Sequence, residues 1–437
     1  MYFRSLKRKP APLWKERFGT YPLPPHKGRR RIWLHAVSVG EFLAAVPILD
    51  EIRSQFPNHD LVLSCTTSSG HQTAEQTNHK RIEEGKIPLF DHLIYFPIDV
   101  ARITLSALQQ VRPEVVVIME TELWFNFLWA AKVFDSRVMI VNGRISDRSF
   151  PRMMKLNWFY RSMLKDIDRA LMQSQTDANR LKELGFEAPE VAGNCKFEQA
   201  LPPKNANPDL ARTLFAIPKN QLLIIVGSTR SELEENLVLS ALTSLRNQIQ
   251  VPFTVIHAPR HLERAPFILT LAEKQGFHAQ LRTALSTAEN ATDVNYWVLD
   301  SYGELANMYG GCDIAVVGGG FDRLGGQNIL QPLGWGKPVI HGPNMQNFAD
   351  ASALAMRAGA TLVCATAEEL ADSLSQLINN PPQREKMGES ARQLVADNLG
   401  AVQRFSIALK QEIAKFESIR KDQEMRRKKR IEQNTRK

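Results

Sequence analysis

The chain has 437 residues, of which 43% are hydrophobic and 23% charged, and its formal net charge is +9. This length favours two domains, and the widely spaced cysteines (Cys65, Cys195, Cys312 and Cys364) argue against a zinc site or a disulfide framework and suit a reducing compartment. No run of about 18 apolar residues occurs, so the sequence predicts no membrane-spanning helix.

Positive charge is concentrated near both ends of the chain. It lies in the opening segment "MYFRSLKRKPAPLWKERFGTYPLP", in "KGRRR" (27–31), and in the closing "RKDQEMRRKKRIEQNTRK". Basic ends suit an anionic partner, either a lipid surface or a nucleic acid. The closing run contains no aromatic residues that could stack on bases, which disfavours single-stranded nucleic acid. A solvated tail without a partner is the alternative for that run.

The first half of the chain alternates predicted strands and helices. Apolar, β-branched runs predict strands at 31–38, 60–67, 92–97, 114–120, 137–143 and 169–174, with helices beginning near Glu41 and Ser68. Continuous apolar strands separated by helical segments indicate a parallel sheet that is covered on both faces.

A polar, proline-rich stretch, "LPPKNANPDLA" (201–211), is predicted to join two domains. The strand pattern then restarts at 221–228, 253–259, 296–301, 313–320 and 337–342. We therefore predict a basic segment at 1–30, Rossmann-like domains at 31–200 and 201–405, and a C-terminal helix with a basic tail at 406–437. Two doubly wound domains in series are expected to bind ligands in a cleft between the carboxyl ends of their sheets.

The strand exits of the second half indicate an anion site. "GSTRSE" (227–232) and "DSYGEL" (300–305) are turns into helices, "APRHLER" places Arg260 directly after a strand, and "GGGFDRLGGQN" (318–328) is rich in glycine. Backbone N–H groups at such turns can bind a nucleotide phosphate. The candidate phosphate loops contain Gly227, Ser228, Gly318, Gly319 and Gly320. Ordinary turns between strands and helices are the alternative.

Motifs that the sequence lacks narrow the chemistry. There is no G-x-x-x-x-G-K-[ST] and no G-x-G-x-x-G after the first strand, which disfavours a P-loop nucleotidase and a dinucleotide dehydrogenase. A D-x-D sequence occurs at Asp166 and Asp168, but it precedes a predicted strand instead of ending one. We therefore predict no catalytic metal and no cofactor.

Carboxylates follow two strands of the first half: Glu41 comes after the first strand, and Glu120 and Glu122 follow another. Ser38 and Glu41 form a capping-box pattern, in which each side chain satisfies a backbone N–H of the helix start. This role accounts for Glu41 locally. A cap does not require the strand edge that Glu120 shares, however, and a transferase needs a base for the incoming hydroxyl. Glu41 is therefore the candidate base.

Taken together, "WLHAVSVGE", "METELW", "NGRIS", "GNCKF", "GSTR", "PRH", "GEL…YG" and "GGQN" occur in an order that resembles the 3-deoxy-D-manno-octulosonic acid (Kdo) transferases of lipopolysaccharide synthesis, over about residues 15–400. The resemblance implies a GT-B fold, an α/β architecture in which two doubly wound Rossmann-like domains face each other across a cleft. It also implies metal-independent, inverting transfer of Kdo from CMP-Kdo to a lipid A precursor such as lipid IVA.

The resemblance also implies site residues. Glu41 matches the proton acceptor of the family, and Glu120 and Lys196 match positions that stabilise the transition state. The segments that match the CMP-binding residues are Pro259 and Arg260, then Tyr302, Gly303 and Glu304, then Asn328, Ile329, Leu330 and Gln331. Gln327 and Gln331 replace a histidine and a glutamate of the family, and Arg230 stands where a histidine is common. Glutamine at 331 can still accept a hydrogen bond from ribose.

The implied partners are CMP-Kdo, the lipid A precursor and an anionic membrane surface, with no nucleic acid. The implied location is the cytoplasmic face of the bacterial inner membrane, held peripherally or monotopically. Two alternatives stay open: another GT-B enzyme (a UDP-sugar transferase or a non-hydrolysing epimerase), and a degenerate GT-B scaffold that acts as a basic binding protein.

Overall fold

The computed structural model describes residues 14–24, 30–202, 206–287 and 294–435. The chain divides into two compact units, Met1–Glu198 with Asn398–Lys437, and Gln199–Asp397. The first division lies two residues before the predicted boundary. Residues 398–405, which the sequence assigned to the second domain, belong instead to the first unit. The predicted basic segment at 1–30 lies largely outside the described residues.

In the described part of the first unit, a seven-stranded sheet has the order β3-β2-β1-β4-β5-β6-β7, and every pair is parallel. The strands are β1 Arg30–Ala36, β2 His59–Cys65, β3 His92–Tyr95, β4 Val115–Met119, β5 Arg137–Gly143, β6 Arg169–Met172 and β7 Glu190–Val191. Each of the six predicted strands overlaps an observed one, and only the two-residue β7 was not predicted.

The strands of the first sheet are apolar throughout because helices cover both of its faces. In β4, Val115 and Val117 belong to one buried cluster, whereas Val116 and Ile118 belong to another on the opposite face. Successive side chains of a strand point to opposite faces, so a doubly covered strand needs apolar residues at every position. This explains the unbroken run "VVVIM".

The helices of the first unit are Trp14–Arg17, Val39–Gln55, Ser68–Glu83, Ala101–Val111, Phe125–Val133, Phe150–Lys155, Asn157–Leu164, Gln175–Glu183 and Ala401–Thr435. A 3₁₀ turn, Cys195–Ala200, follows β7. The helix Ala401–Thr435 returns to this unit because Phe405, Leu409 and Ile413 are buried in its core. Residues 418–429 of the same helix are exposed on all sides.

In the described part of the second unit, a seven-stranded sheet has the order β10-β11-β9-β8-β12-β13-β14, again all parallel. This order differs from that of the first sheet, because β11 lies between β10 and β9. The strands are β8 Leu222–Thr229, β9 Phe253–Pro259, β10 Ala279–Leu281, β11 Tyr296–Val298, β12 Ile314–Val317, β13 Val339–His341 and β14 Thr361–Val363. The helices are Leu210–Leu214, Glu232–Gln248, Ala265–Lys274, Leu305–Met308, Leu330–Gly334, Ala349–Arg357, Ala367–Asn379 and Pro381–Asn398.

Each described sheet contains a point at which the chain leaves two neighbouring strands in opposite directions, which we call the reversal point. In the first unit this point lies between β1 and β4, and in the second unit it lies between β8 and β12. Chains that leave two neighbouring strands in opposite directions open a crevice at the carboxyl edge, where doubly wound folds bind ligands. Among the described residues, no helix is long and apolar enough to cross a bilayer.

Candidate active site

Glu41 lies at the reversal point of the first sheet, at the start of the helix that follows β1. Ser38 caps this helix, although its Oγ is 3.5 Å from the Glu41 backbone N. The carboxylate turns back, so that the Val37 N–H donates to Oε2 (2.8 Å) and the Ser38 hydroxyl donates to Oε1 (3.2 Å). The capping arrangement predicted from the sequence is therefore present, and it fixes the carboxylate at the strand edge.

The environment of Glu41 favours the protonated form of its side chain. Burial, the largest cause, acts together with the negative charges of Glu120 and Glu122 to raise the pKa of Glu41 to about 8, against the lowering effect of the Val37 and Ser38 donors. A carboxylic acid with a pKa near neutrality can exchange a proton with substrate under physiological conditions. Its position and its raised pKa together make the ionised form of Glu41 the candidate proton acceptor of this edge.

Glu120 and Glu122 follow β4, the neighbour of β1 across the reversal point. Glu120 has a φ of +55°, in the left-handed region that residues other than glycine rarely adopt, and its N–H donates to Val141 O (2.9 Å). Such a backbone conformation costs energy and is more common at functional sites. Burial raises the pKa of Glu122, and the Glu120 charge adds to that shift. The structure thus brings together carboxylates that the sequence predicted at one edge.

Lys196 lies in the 3₁₀ turn Cys195–Ala200, and Asn142 at the end of β5 holds that turn in place. Asn142 has a φ of +56°, and its Oδ1 accepts from the Cys195 N–H (3.0 Å). Asn194 completes the connection, since its Oδ1 accepts from the Lys196 N–H (3.0 Å) and its Nδ2 donates to Gln173 (3.1 Å). The sequence had shown Asn142 only as part of "NGRIS", without a role.

Arg260 is the candidate cation of the second unit. It follows β9, and its backbone N–H donates to Thr229 O (2.8 Å), which ties the exit of β9 to that of β8. Its side chain is exposed and makes no ion pair or hydrogen bond with another described residue, whereas the preceding Pro259 is buried in the strand. A guanidinium available in this way can bind an anionic ligand.

The predicted phosphate loops are explained first by close packing. A Cβ on Gly227 would lie 1.9 Å from the Tyr309 hydroxyl, one on Gly318 would lie 2.7 Å from Thr229 Cα, and one on Gly320 would lie 3.1 Å from Gly342 O. Ser228 and Gly319 adopt positive φ angles of +62° and +77°. Gly227 and Gly318 are therefore needed by the fold whether or not a phosphate binds, so phosphate binding by these loops stays a prediction.

The segment after β11 combines exposed and engaged side chains. Tyr302 is 73% exposed, and Gly303 has a φ of +87° with open space around it. Glu304 accepts from the Ser301 hydroxyl and pairs with Arg282 (3.1 Å), an arginine to which the sequence had given no role. Because β11 lies beside β9, this turn and Arg260 leave adjacent strands.

Within Asn328–Gln331, the four residues differ in what they can offer a ligand. Asn328 accepts from the Leu330 N–H (2.9 Å) and donates to Gln199 (3.4 Å). Ile329 and Leu330 have 0% exposure, so the expectation that they contact CMP is restricted to their main chain. Gln331 is half-buried. The short helix of this segment begins at Leu330.

The D-x-D sequence, Asp166 to Asp168, directly precedes β6. It therefore lies at the amino ends of the strands, whereas Glu41 and Glu120 lie at the carboxyl ends. Asp168 pairs with Arg137 (2.7 Å) and Lys132 (2.5 Å), and its carboxylate accepts from the Val138 N–H (2.7 Å). These contacts account for Asp168 as a structural residue. Across the described residues, no group of three His, Cys, Asp or Glu side chains is arranged to hold a metal ion.

Comparisons with known proteins agree with this architecture. Residues 204–394 match the family model for glycosyl transferases group 1. The crystal structure of Acinetobacter baumannii MurG superposes with a TM-score of 0.54 at 12% identity, covering 87% of this chain and 99% of that chain. At this identity the likeness concerns the fold alone. The two parallel-sheet α/β domains have the GT-B fold, and the match to glycosyl transferases group 1 makes the chain a GT-B glycosyltransferase.

The first unit gives the family. Residues 13–199 match the family model described as 3-deoxy-D-manno-octulosonic-acid transferase (kdotransferase). The 3-deoxy-D-manno-octulosonic acid transferase of Bordetella pertussis is 32% identical over 380 residues, which are 86% of this chain and 86% of that protein. The chain therefore belongs to the 3-deoxy-D-manno-octulosonic acid (Kdo) transferase family, as its motifs suggested.

A second relative is longer than this chain. The bifunctional glycosyltransferase/methyltransferase of Fusobacterium nucleatum is 30% identical over 377 residues, which are 85% of this chain but 57% of that protein. The similarity to this relative therefore concerns a little over half of its length.

Proposed function

We propose that this enzyme transfers Kdo from CMP-Kdo to a lipid A precursor such as lipid IVA, with inversion at the anomeric carbon and without a metal ion. Family membership supports Kdo transfer. The observation that carries the catalytic assignment is the buried Glu41 carboxyl, with a pKa raised to about 8, beside Glu120 at the reversal point of the first sheet.

In the proposed reaction, ionised Glu41 takes the proton of the acceptor hydroxyl. The hydroxyl oxygen forms a bond to the anomeric carbon of Kdo as the bond from that carbon to the CMP phosphate oxygen breaks. CMP leaves with the electron pair of the broken bond. A base with a pKa near the working pH combines a useful ionised fraction with strong proton affinity, so the burial that raises the pKa of Glu41 serves this step.

Charge develops on both sides of the breaking bond. The sugar acquires oxocarbenium-like positive character, which a neighbouring carboxylate such as Glu120 would stabilise, and Lys196 would stabilise negative charge on the carboxylate of Kdo or on the leaving phosphate. Fixed groups do this best because they need no reorganisation during the reaction. The Glu120 N–H donates to Val141 O, and the Cys195 and Lys196 N–H groups donate to the side chains of Asn142 and Asn194, so hydrogen bonds hold the backbone at both positions.

The proposed donor site lies at the carboxyl edge of the second sheet. CMP carries one phosphate, whereas a diphosphate donor often needs a metal cation to balance its charge. Arg260 together with backbone N–H groups can supply enough positive potential for the single phosphate. The half-buried Gln331 can accept a hydrogen bond from a ribose hydroxyl in place of the glutamate of the family. The Glu304 carboxylate, held by Arg282 and Ser301, supports the turn that presents Tyr302.

Mass spectrometry of a lipid A precursor incubated with CMP-Kdo and the purified protein tests this proposal. The expected product is the precursor with one or more added Kdo residues. Calorimetry with CMP-Kdo, CMP, UDP-sugars and UDP supplies the comparison. Binding of UDP-sugars without binding of CMP, and no mass gain with CMP-Kdo, would favour the UDP-sugar transferase or epimerase alternative.

The acceptor is a lipid, so we also propose that the enzyme works peripherally or monotopically at the cytoplasmic face of the inner membrane. Its net charge of +9 suits the anionic lipids of that surface.

A further inference from the structure

One helix of the first unit exposes an apolar stripe. Phe125, Trp129 and Val133 recur every fourth residue on the helix Phe125–Val133, and their exposures are 38%, 41% and 51%. Residues at this spacing lie on one face of a helix. An apolar face left in water is unfavourable, and a contiguous one commonly marks an interaction surface.

The two short helices between β5 and β6, Phe150–Lys155 and Asn157–Leu164, and the residue between them carry further exposed apolar side chains. In this segment Met154, Leu156 and Trp158 are exposed by 37%, 50% and 74%. The Phe159 ring joins the segments, since it stacks on Phe125 (centroids 5.4 Å apart, 27° between planes) and meets Trp158 edge to face (5.8 Å, 65°). We call the joined surface the aromatic patch, which consists of Phe125, Trp129, Val133, Met154, Leu156 and Trp158.

Cations accompany the aromatic patch. Residues 148–165 contain no Asp or Glu but five basic residues: Arg148, Arg152, Lys155, Arg161 and Lys165. All five side chains are exposed, and none forms an ion pair with another described residue. The nearest preceding acid, Asp147, is itself paired with Arg180. The positive charge of this segment is therefore available to an outside partner.

We propose that the aromatic patch and its five cations bind the surface of an anionic bilayer. Tryptophan and other apolar side chains enter the headgroup region of membranes, and Lys and Arg beside them bind lipid phosphates. A second copy of the chain is a poorer partner, because a two-fold contact through this surface would bring the two sets of unpaired cations together.

The position of the aromatic patch gives the contact a use, which rests on the proposed function. The helix Phe125–Val133 begins five residues after Glu120, at the carboxyl edge of β4. A bilayer bound there would hold the sugar of a lipid acceptor near the edge that carries Glu41 and Glu120. The sequence had assigned membrane contact to the basic ends instead. In the C-terminal helix, Asp422 and Glu424 interrupt the cations, and Arg420 pairs with Glu424 (3.2 Å).

Vesicle sedimentation with the full chain tests the proposal without donor or acceptor. Wild-type protein should bind phosphatidylethanolamine vesicles that contain phosphatidylglycerol, and bind phosphatidylcholine vesicles much less. Leu156→Ser with Trp158→Ser should weaken binding about tenfold or more, from lost apolar burial. Arg152→Glu with Lys155→Glu should weaken it at least as much, at low salt above all.

Matched controls separate this surface from general effects. Leu233→Ser changes an equally exposed leucine of the second unit, and Lys421→Glu with Lys428→Glu changes the basic tail. Both control variants should bind vesicles within about twofold of wild type. Circular dichroism confirms that each variant is folded. Quenching of tryptophan fluorescence by brominated lipid should fall in Trp158→Phe, because that ring is expected to enter the headgroup region.

The outcomes are distinct. Patch variants that bind vesicles as wild type does, or loss of binding in the tail variant alone, would overturn the proposal. A wild-type dimer that becomes monomeric in the patch variants, with no vesicle binding, would assign the surface to a second copy. Wild-type protein that binds vesicles through the aromatic patch but does not transfer Kdo would contradict the proposed function and leave this surface assignment standing.

Discussion

Glu41 and Glu234 occupy the same place in the two units, yet their surroundings differ. Each is the third residue of the helix that follows the first strand of its sheet, and a serine, Ser38 or Ser231, caps that helix. In each case the carboxylate turns back to a backbone N–H: that of Val37 at 2.8 Å for Glu41, and that of Arg230 at 3.0 Å for Glu234. Local sequence has built the same cap twice.

The second carboxylate oxygen distinguishes the two residues. In Glu234, which has no exposed surface, this oxygen accepts from the Phe321 N–H at 3.0 Å. In Glu41 this oxygen meets, among the described residues, only the Ser38 hydroxyl, and the Glu120 and Glu122 charges lie close enough to help raise the pKa of Glu41 to about 8. Backbone donors on both oxygens make Glu234 a structural cap. Neighbouring carboxylates, which raise the pKa of Glu41, allow that capping glutamate to serve as a base.

The largest expected effect comes from Glu41→Gln. Glutamine preserves the cap but cannot take the proton of the acceptor hydroxyl. The rate of Kdo transfer should therefore fall by a factor of about 10² to 10⁴, while CMP binding and folding persist. Initial rates of Kdo transfer, with calorimetry for CMP, measure both quantities.

Glu234→Gln is the matched control for this prediction. Both Glu234 oxygens accept backbone N–H groups, so the new amide NH₂ would face one of those donors and should lower the free energy of unfolding by about 1–3 kcal/mol. Its transfer rate, measured where the variant is folded, should stay within about tenfold of wild type. Near-normal transfer by folded Glu41→Gln would refute the base assignment.

The next effect concerns the carboxyl edge of the second sheet. This edge carries the cation Arg260, whereas the corresponding edge of the first sheet carries the carboxylates of Glu41 and Glu120. If Arg260 binds the CMP phosphate, Arg260→Ala should cost about 1.5–3 kcal/mol of CMP affinity, as expected for a charged hydrogen bond. Cytidine lacks the phosphate, so its affinity should change much less. Calorimetry with both ligands checks this, and equal losses for CMP and cytidine would remove Arg260 from the phosphate site.

The sequence predicted the strands well because a doubly covered parallel sheet needs continuous apolar runs, such as "VVVIM" in β4. It missed β7, β10 and β14, which have two or three residues and no such run. It also placed residues 398–405 in the wrong unit. Phe405 belongs to an amphipathic helix whose local pattern does not say which core receives it, and that choice depends on long-range packing.

The site was predicted in part for a similar reason. Strand ends are readable, so Glu41 and Glu120 could be expected at one edge. Whether Glu41 is a cap or a base depends on which donors and charges reach it from other elements, which a local motif does not contain. Asn142 was missed because its contact with Cys195 joins residues 53 positions apart. The glycines at 227 and 318 suggested phosphate, whereas contacts with Tyr309 and Thr229 already require them.

A third prediction uses the pKa that separates the two glutamates. The base must be ionised, and with a pKa of about 8 the ionised fraction of Glu41 rises with pH until it levels off above that value. The transfer rate should therefore increase roughly fiftyfold between pH 6 and pH 8 and then reach a plateau, as ionisation of a single group requires. Initial rates at saturating donor measure the profile. A rate that is flat over this range would contradict a base with a raised pKa.

The smallest effect, from the capping serines, tests whether the Ser38 hydroxyl does more than cap. Ser38→Ala and Ser231→Ala should each lower the free energy of unfolding by about 0.5–1 kcal/mol, since both caps are long, at 3.5 Å and 3.3 Å. Only the Ser38 hydroxyl also donates to the proposed base, and this hydrogen bond lowers the pKa of Glu41. Its loss should raise that pKa further, so Ser38→Ala should move the pH–rate profile to higher pH and reduce the rate at neutral pH by less than about tenfold. Ser231→Ala should leave the profile where it is. Denaturant unfolding and pH–rate measurements on both variants test this prediction. Identical pH–rate profiles for Ser38→Ala and Ser231→Ala would show that Ser38 acts only as a helix cap.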